Sequence, residues 1–240
     1  LAVGKVLLEY GADPNMSDWY GRTPLHHAVR RGREEFVKFL LDHGAGLNLK
    51  DNNGDTPLRR ALVKRCDPAV DLCSDETFSV LLHSGPDLNI KNRKGVTALI
   101  RAALRRKVEK ARLLLASEPQ IDLRDETGAT ALIHAARNGC YEIVDALVQS
   151  GAHLDIEDNE GQTALLWAMR NDHTSVAALL IESGANGADV NRRDANGTTA
   201  LIWSCCYSVT DCVRSLLESG AQLDMQDSLG RTALMCAAES

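Results

Sequence analysis

The chain has 240 residues, 44% apolar and 25% charged, with 4% aromatic residues and a formal net charge of −6. No stretch approaches the roughly 18 uninterrupted apolar residues of a membrane span, and no basic-then-apolar signal peptide opens it. Seven cysteines without CxxC spacing argue against a disulfide framework, so the expectation is reduced, mostly buried thiols in the cytoplasm or nucleus.

Taken in chain order, residues 1–17 carry apolar residues at helical spacing and read as the tail of a two-helix unit. A new pattern starts at Asp18: Asp-x-x-Gly, then x-Thr, then Pro or Ala, then Leu. It occurs seven times, with glycines at Gly21, Gly54, Gly95, Gly128, Gly161, Gly197 and Gly230, spaced by 33, 41, 33, 33, 36 and 33 residues. Asp-x-x-Gly, with Asn92 replacing Asp once, is turn chemistry. The threonine is an N-cap, and Pro24 and Pro57 suit a first helical turn. A short helix with paired small residues (Ala102-Ala103, Ala135-Ala136) follows. A second helix then carries apolar residues at helical spacing, such as Phe36, Val37, Leu40 and Leu41. Gly44, Gly151, Gly184 and Gly220 are expected to end the second helices.

The expected divisions are full repeats at 18–50, 51–91, 92–124, 125–157, 158–193 and 194–226. Partial repeats lie at 1–17 and 227–240. The second repeat carries eight extra residues within about 65–74, between its helices, and the fifth carries three within about 184–188. Insertions of this kind map to loops.

The segments Asp-Trp-Tyr-Gly-Arg-Thr-Pro-Leu-His (18–26) and Glu-Phe-Val-Lys-Phe-Leu-Leu-Asp-His-Gly-Ala (35–45) resemble the ankyrin-repeat family. The resemblance covers essentially the whole chain. It implies an all-α-dominated ankyrin solenoid, a single array over 1–240 of helix-turn-helix units joined by short β-turn or hairpin loops. It also implies a non-catalytic scaffold that binds a protein or extended peptide and is monomeric as a domain.

No catalytic pattern contradicts this. There is no phosphate-cradling glycine motif, no H-E-x-x-H and no zinc-spaced Cys/His set, so no catalytic residue, metal or cofactor is expected. His26 stands at the family's structural histidine. Cys205 falls at a packed small-residue position, and Cys206 beside the groove.

The resemblance places the partner along a concave groove of turn tips and first-helix faces. The position after the histidine site gives His27, Arg60, Arg101, His134, Trp167, Trp203 and Cys236. The next exposed positions add Arg30, Arg31, Lys64, Arg105, Arg137, Arg170, Cys206 and Tyr207. The N-terminal half of this row is cationic (Arg30, Arg31, Arg60, Lys64, Arg101, Arg105, Arg137), and the C-terminal half is aromatic (Trp167, Trp203, Tyr207). Charge follows the same division: residues 22–112 hold 19 Lys/Arg against 11 Asp/Glu, and residues 113–240 hold 7 against 19. Arginine pairs bidentately with carboxylate or phosphate, and Arg and Trp are frequent interface anchors. The expected partner segment is acidic or phosphorylated at one end and apolar at the other.

Trp19 and Tyr20 add aromatic turn tips. A second reading is a reader of a modified or phosphate-bearing ligand in the same groove: a methyl-lysine peptide, a phosphopeptide or an oligonucleotide. Trp167 and Trp203 look like the cage tryptophans of histone-methyltransferase ankyrin domains, although Gln162 and Arg170 depart from that pattern. The acidic C-terminal half argues against nucleic acid. Asn48 and Asn89, each eight residues after a leucine, resemble the asparagines hydroxylated in ankyrin loops.

Overall fold

The computed structural model describes residues 1–63, 73–184 and 189–239. Lys64, most of the 65–74 insertion and residues 185–188 of the second insertion lie outside the described residues.

The described residues form fourteen α-helices and no strand, apart from one isolated bridge between Arg193 and Thr199. The first helices are α2 (Pro24–Arg30), α4 (Pro57–Arg60), α6 (Ala98–Leu104), α8 (Ala131–Arg137), α10 (Ala164–Arg170), α12 (Ala200–Cys206) and α14 (Ala233–Glu239). The second helices are α1 (Ala2–Glu9), α3 (Glu34–Asp42), α5 (Asp75–His83), α7 (Val108–Leu115), α9 (Tyr141–Gln149), α11 (Thr174–Gly184) and α13 (Thr210–Glu218).

The repeated threonine starts each first helix for a local reason. Its extended backbone leaves the hydroxyl facing the first turn, where it accepts the N–H three residues on. The distances are 3.2 Å at Thr97–Ile100 and 3.3 Å at Thr130–Ile133, Thr163–Leu166 and Thr199–Ile202. Gly44, Gly151 and Gly220 follow their second helices with φ of 81°, 85° and 86°, the left-handed conformation that stops a helix. Gly184 is the last residue of α11 and is buried, and the residues that follow it lie outside the described ones.

The turn between the two helices of a repeat also needs positive φ. Gly139 supplies it at 64°, and a Cβ there would meet the His173 ring at 2.5 Å. At the matching places Arg106, Asp172 and Ser208 adopt φ of 53°, 58° and 55° without being glycine.

The chain divides into two compact units, Leu1–Asp125 and Glu126–Ser240. In the first unit α2 packs on α3 and α4, α4 on α6, and α3 and α7 on α5. Leu25, Val29, Val37, Leu58, Leu62, Phe78, Leu81 and Leu114 fill its core. α1 buries none of its residues. In the second unit α8, α10, α12 and α14 pack in succession, as do α9, α11 and α13. Leu132, Ile143, Leu147, Leu166, Val176, Leu201 and Leu216 form its core.

Each unit is therefore a set of tiers whose apolar faces are covered by neighbouring tiers. Because the cap hydroxyl of Thr130 is buried and satisfied, Thr130→Ala is expected to lower the unfolding free energy by about 1 kcal/mol in urea denaturation.

Candidate interaction surface

The turn before each first helix is built on one side chain. Asp18 Oδ1 accepts the N–H of Tyr20 and of Arg22, both at 2.9 Å. Asp51, Asn92, Asp158, Asp194 and Asp227 repeat the arrangement with the residues two and four further on. These bonds, led by the Arg22 N–H, hold the Asp18 carboxyl below its ordinary range, and the Arg231 N–H does the same for Asp227.

The second oxygen then receives a donor from the first helix, nine residues on. His27 Nε2 meets Asp18 Oδ2 at 2.9 Å, Trp167 Nε1 meets Asp158 Oδ2 at 2.7 Å, and Trp203 Nε1 meets Asp194 Oδ2 at 3.3 Å. The position that the sequence assigns to a partner is thus tied first to its own turn.

In the first unit this changes the reading of the cationic row. Arg59, which sequence reasoning passed over, is 1% exposed and donates to Asp55 Oδ1 at 2.6 Å and to the carbonyls of Val96 and Gly54. Arg60 lies 3.8 Å from Asp51 and 3.9 Å from Asp55 with only 11% of its side chain exposed. Arg101 follows Asn92, which has no second carboxylate oxygen. It reaches instead to Asp55 Oδ1 at 3.4 Å, where the Asn92 amide also donates at 3.3 Å.

Three guanidiniums therefore surround two buried carboxylates, and burial draws Arg59 and Arg101 below the ordinary arginine value. Arg60 and Arg101 are not open cations. Arg31 and Arg105 are exposed, and Arg30 is half-buried. Arg59 stands five residues after its turn glycine, where His26 and Ile133 stand in other repeats, so its phase marks an interior position.

In the second unit the expected open aromatic at Trp167 is also corrected, since it is only 5% exposed. The Arg137 guanidinium lies 4.2 Å and that of Arg170 5.1 Å from the ring centre, within cation–π reach. Arg170 also approaches Glu160 at 3.8 Å, whereas Arg137 is exposed and has no carboxylate partner among the described residues. Trp203 is half-buried and stacks on exposed Tyr207 with ring centres 5.8 Å apart and 9° between planes.

At the tips, Trp19 is 98% and Tyr20 62% exposed. Their carbonyls accept the side-chain and backbone N–H of Asn52 at 3.0 and 2.9 Å, so the two tips are laced together. Asn48 and Asn89 lie in the opposite loops, where their Oδ1 atoms accept the N–H of Asp87 at 3.0 Å and Gln120 at 2.9 Å.

Cys205 and Cys206 are half-buried, and Cys236 is buried rather than groove-facing. Burial, with Cys236 adding to it, pushes the Cys206 thiol up to about 11. Among the described residues no cluster of His, Cys, Asp or Glu is arranged to hold a metal ion, and no helix is long and apolar enough to cross a membrane.

His26 is the structural histidine that the sequence indicates. Its Nε2 faces the Asp55 carbonyl at 3.0 Å and therefore carries the proton, leaving Nδ1 to accept the Thr23 N–H at 3.2 Å. Burial depresses its affinity for a second proton. The unfolded chain therefore binds that proton more readily. The stabilisation is fully present above the unfolded value of about 6.5 and is lost as pH falls toward the depressed folded value. The urea midpoint should fall between pH 7.5 and pH 5 (about those values), and the fall should shrink in His26→Gln. Asp55→Ala strands Arg59 without its carboxylate and should cost roughly 3–5 kcal/mol in the same assay. Asp42→Ala, at an exposed site, should stay within about 0.5 kcal/mol.

Known proteins fit this architecture. The family described as "Ankyrin repeats (3 copies)" matches residues 1–74, 69–158 and 186–240, and that described as "Ankyrin repeat" matches 160–195. The crystal structure of the ankyrin repeat domain of Bcl-3, titled a unique member of the IkappaB protein family, is 29% identical. The alignment covers 90% of this chain and 94% of that one, with a TM-score of 0.75. Two ADP-ribosylation factor GTPase-activating proteins of Arabidopsis thaliana, AGD2 and AGD4, are 53% and 50% identical over 34 residues, 14% of this chain. The match spans only 4% of the length of either. With phased turns, capped helix pairs and family matches over nearly its whole length, the chain belongs to the ankyrin-repeat family.

Proposed function

We propose that this chain is a non-catalytic protein-interaction module that binds an acidic or phosphorylated protein segment. Ankyrin repeats generally serve as protein-interaction scaffolds, and the fold is typically non-enzymatic. The observation that carries the finer reading is Arg137. Its guanidinium is exposed, held 4.2 Å over the Trp167 ring and without a carboxylate partner among the described residues. An arginine fixed by stacking loses less side-chain freedom when it takes up a carboxylate or phosphate. The Trp203–Tyr207 stack, in the same unit, supplies flat apolar surface for the remainder of such a segment. In the first unit Arg31 and Arg105 are the exposed cations of the expected row.

A methylated-lysine ligand is less well supported, because the Trp167 ring already holds two cations. The GTPase-activating role named for the Arabidopsis proteins gains nothing from a match to 4% of their length.

The test is affinity capture with the wild-type chain, Arg137→Gln and Trp203→Ala/Tyr207→Ala, each checked for helicity by circular dichroism. Both variants should weaken a captured partner about 10-fold or more. Binding should also fall as salt rises toward about 0.5 M. Capture that is indifferent to all three, and to phosphatase treatment of the partner, would move the binding surface to the Trp19–Tyr20 tips.

A further inference from the structure

We propose that Cys206 and Cys236 form an oxidative cross-link site, at which a hydroperoxide converts the thiol pair into a disulfide joining α12 to α14. These two helices pack directly on one another. Cys206 stands nine residues after the turn glycine Gly197, as Arg137 does after Gly128; Cys236 stands six after Gly230, as Trp167 does after Gly161. The repeat phasing therefore gives the two cysteines the same cross-tier relation as Arg137 and Trp167, whose side chains meet at 4.2 Å. Where the earlier tiers put a guanidinium on an indole, this one sets two thiols at the corresponding positions, and Cys236 is among the groups that raise the Cys206 thiol. The other buried thiols among the described residues are engaged elsewhere: Cys73 with the Ser74 carbonyl, Cys212 with the Thr174 carbonyl, and Cys140 with Glu142. Cys205 adjoins Cys206 in sequence, but successive helical residues do not face each other.

The two thiols differ in access. Cys206 is half-buried and Cys236 is 2% exposed, so an oxidant meets Cys206 first. The Cys206 thiolate attacks a peroxide oxygen; an S–O bond forms, the O–O bond breaks, and water or an alcohol leaves. The Cys236 sulfur then attacks the sulfenic sulfur; the S–S bond forms, the S–O bond breaks, and hydroxide departs with the Cys236 proton as water. Two electrons pass from the sulfurs to the peroxide. Because burial and Cys236 hold the Cys206 thiol at about 11, against the opposing pull of Arg231, thiolate is scarce at neutral pH and the first step is slow. The cross-link thus reports sustained oxidant rather than a brief pulse. It pins α14, whose Leu234 and Met235 are exposed.

The experiment treats the full 240-residue chain with hydrogen peroxide, alkylates remaining thiols after unfolding, and maps the digest by mass spectrometry. The expected result is a reducible peptide pair joining Cys206 to Cys236, with slower amide exchange across α14 in the wild type and not in Cys206→Ser or Cys236→Ala. Oxidation that halts at Cys206 sulfinic acid with Cys236 still alkylatable, or that yields a Cys205–Cys206 bridge, would overturn the proposal.

Discussion

Six tips of this array hang on a turn side chain that accepts two backbone N–H groups through one oxygen. The geometry of Asp18, Asp51, Asp158, Asp194 and Asp227 differs only in what meets the second oxygen. The two N–H bonds fix the turn. At Asp18, Asp158 and Asp194 a donor nine residues later ties the first helix to that turn, whereas at Asp227 it is Arg231, four residues later, that meets the second oxygen. A buried carboxylate could not be tolerated otherwise, since an unpaired charge away from water costs several kcal/mol. The first helices of seven or fewer residues are too short to persist alone; the turn, the threonine cap and the neighbouring tier hold them.

The chemistry of the donor at that ninth position then decides what each tier shows to solvent. A histidine or an indole meets the carboxylate through one ring nitrogen. An arginine is drawn toward it as an ion pair and away from solvent, as at Arg60, 3.8 Å from Asp51 and 11% exposed. Where the acceptor is Asn92, the missing charge displaces the demand onto Asp55, which gathers Arg59, Arg101 and the Asn92 amide together. Charge counted along the row therefore overstates charge available at the surface. What remains accessible is Arg31, Arg105 and Arg137, the last of them stacked on an indole.

The fold was legible because its signal repeats: a turn residue, a glycine, a threonine and a leucine in fixed phase leave few alternatives, and His26 occupied its expected place. The surface was only half legible. Periodicity tells which helix face a residue occupies, but not whether a buried acid on another tier claims it. Arg59 shows the limit from the other side, being a cation at a position that the pattern assigns to the interior. Its partner Asp55 lies in a turn, and nothing in the local pattern announces an acid buried there. Cys236 was assigned to the groove by the same phasing and is 2% exposed, on a helix that packs against α12.

Most tiers close their own polar accounts, so a period could be duplicated or excised and leave no stranded charge behind. The pair spanning 51–91 and 92–124 is the exception. Asp55 of the earlier one serves Arg101 and Asn92 of the later one. Losing the earlier period alone would leave half-buried Arg101 without its carboxylate, and losing the later one would take from buried Arg59 its Val96 carbonyl acceptor. Recombination that reshuffles this array would therefore have to transmit those two periods as a single heritable block, whatever it does with the others.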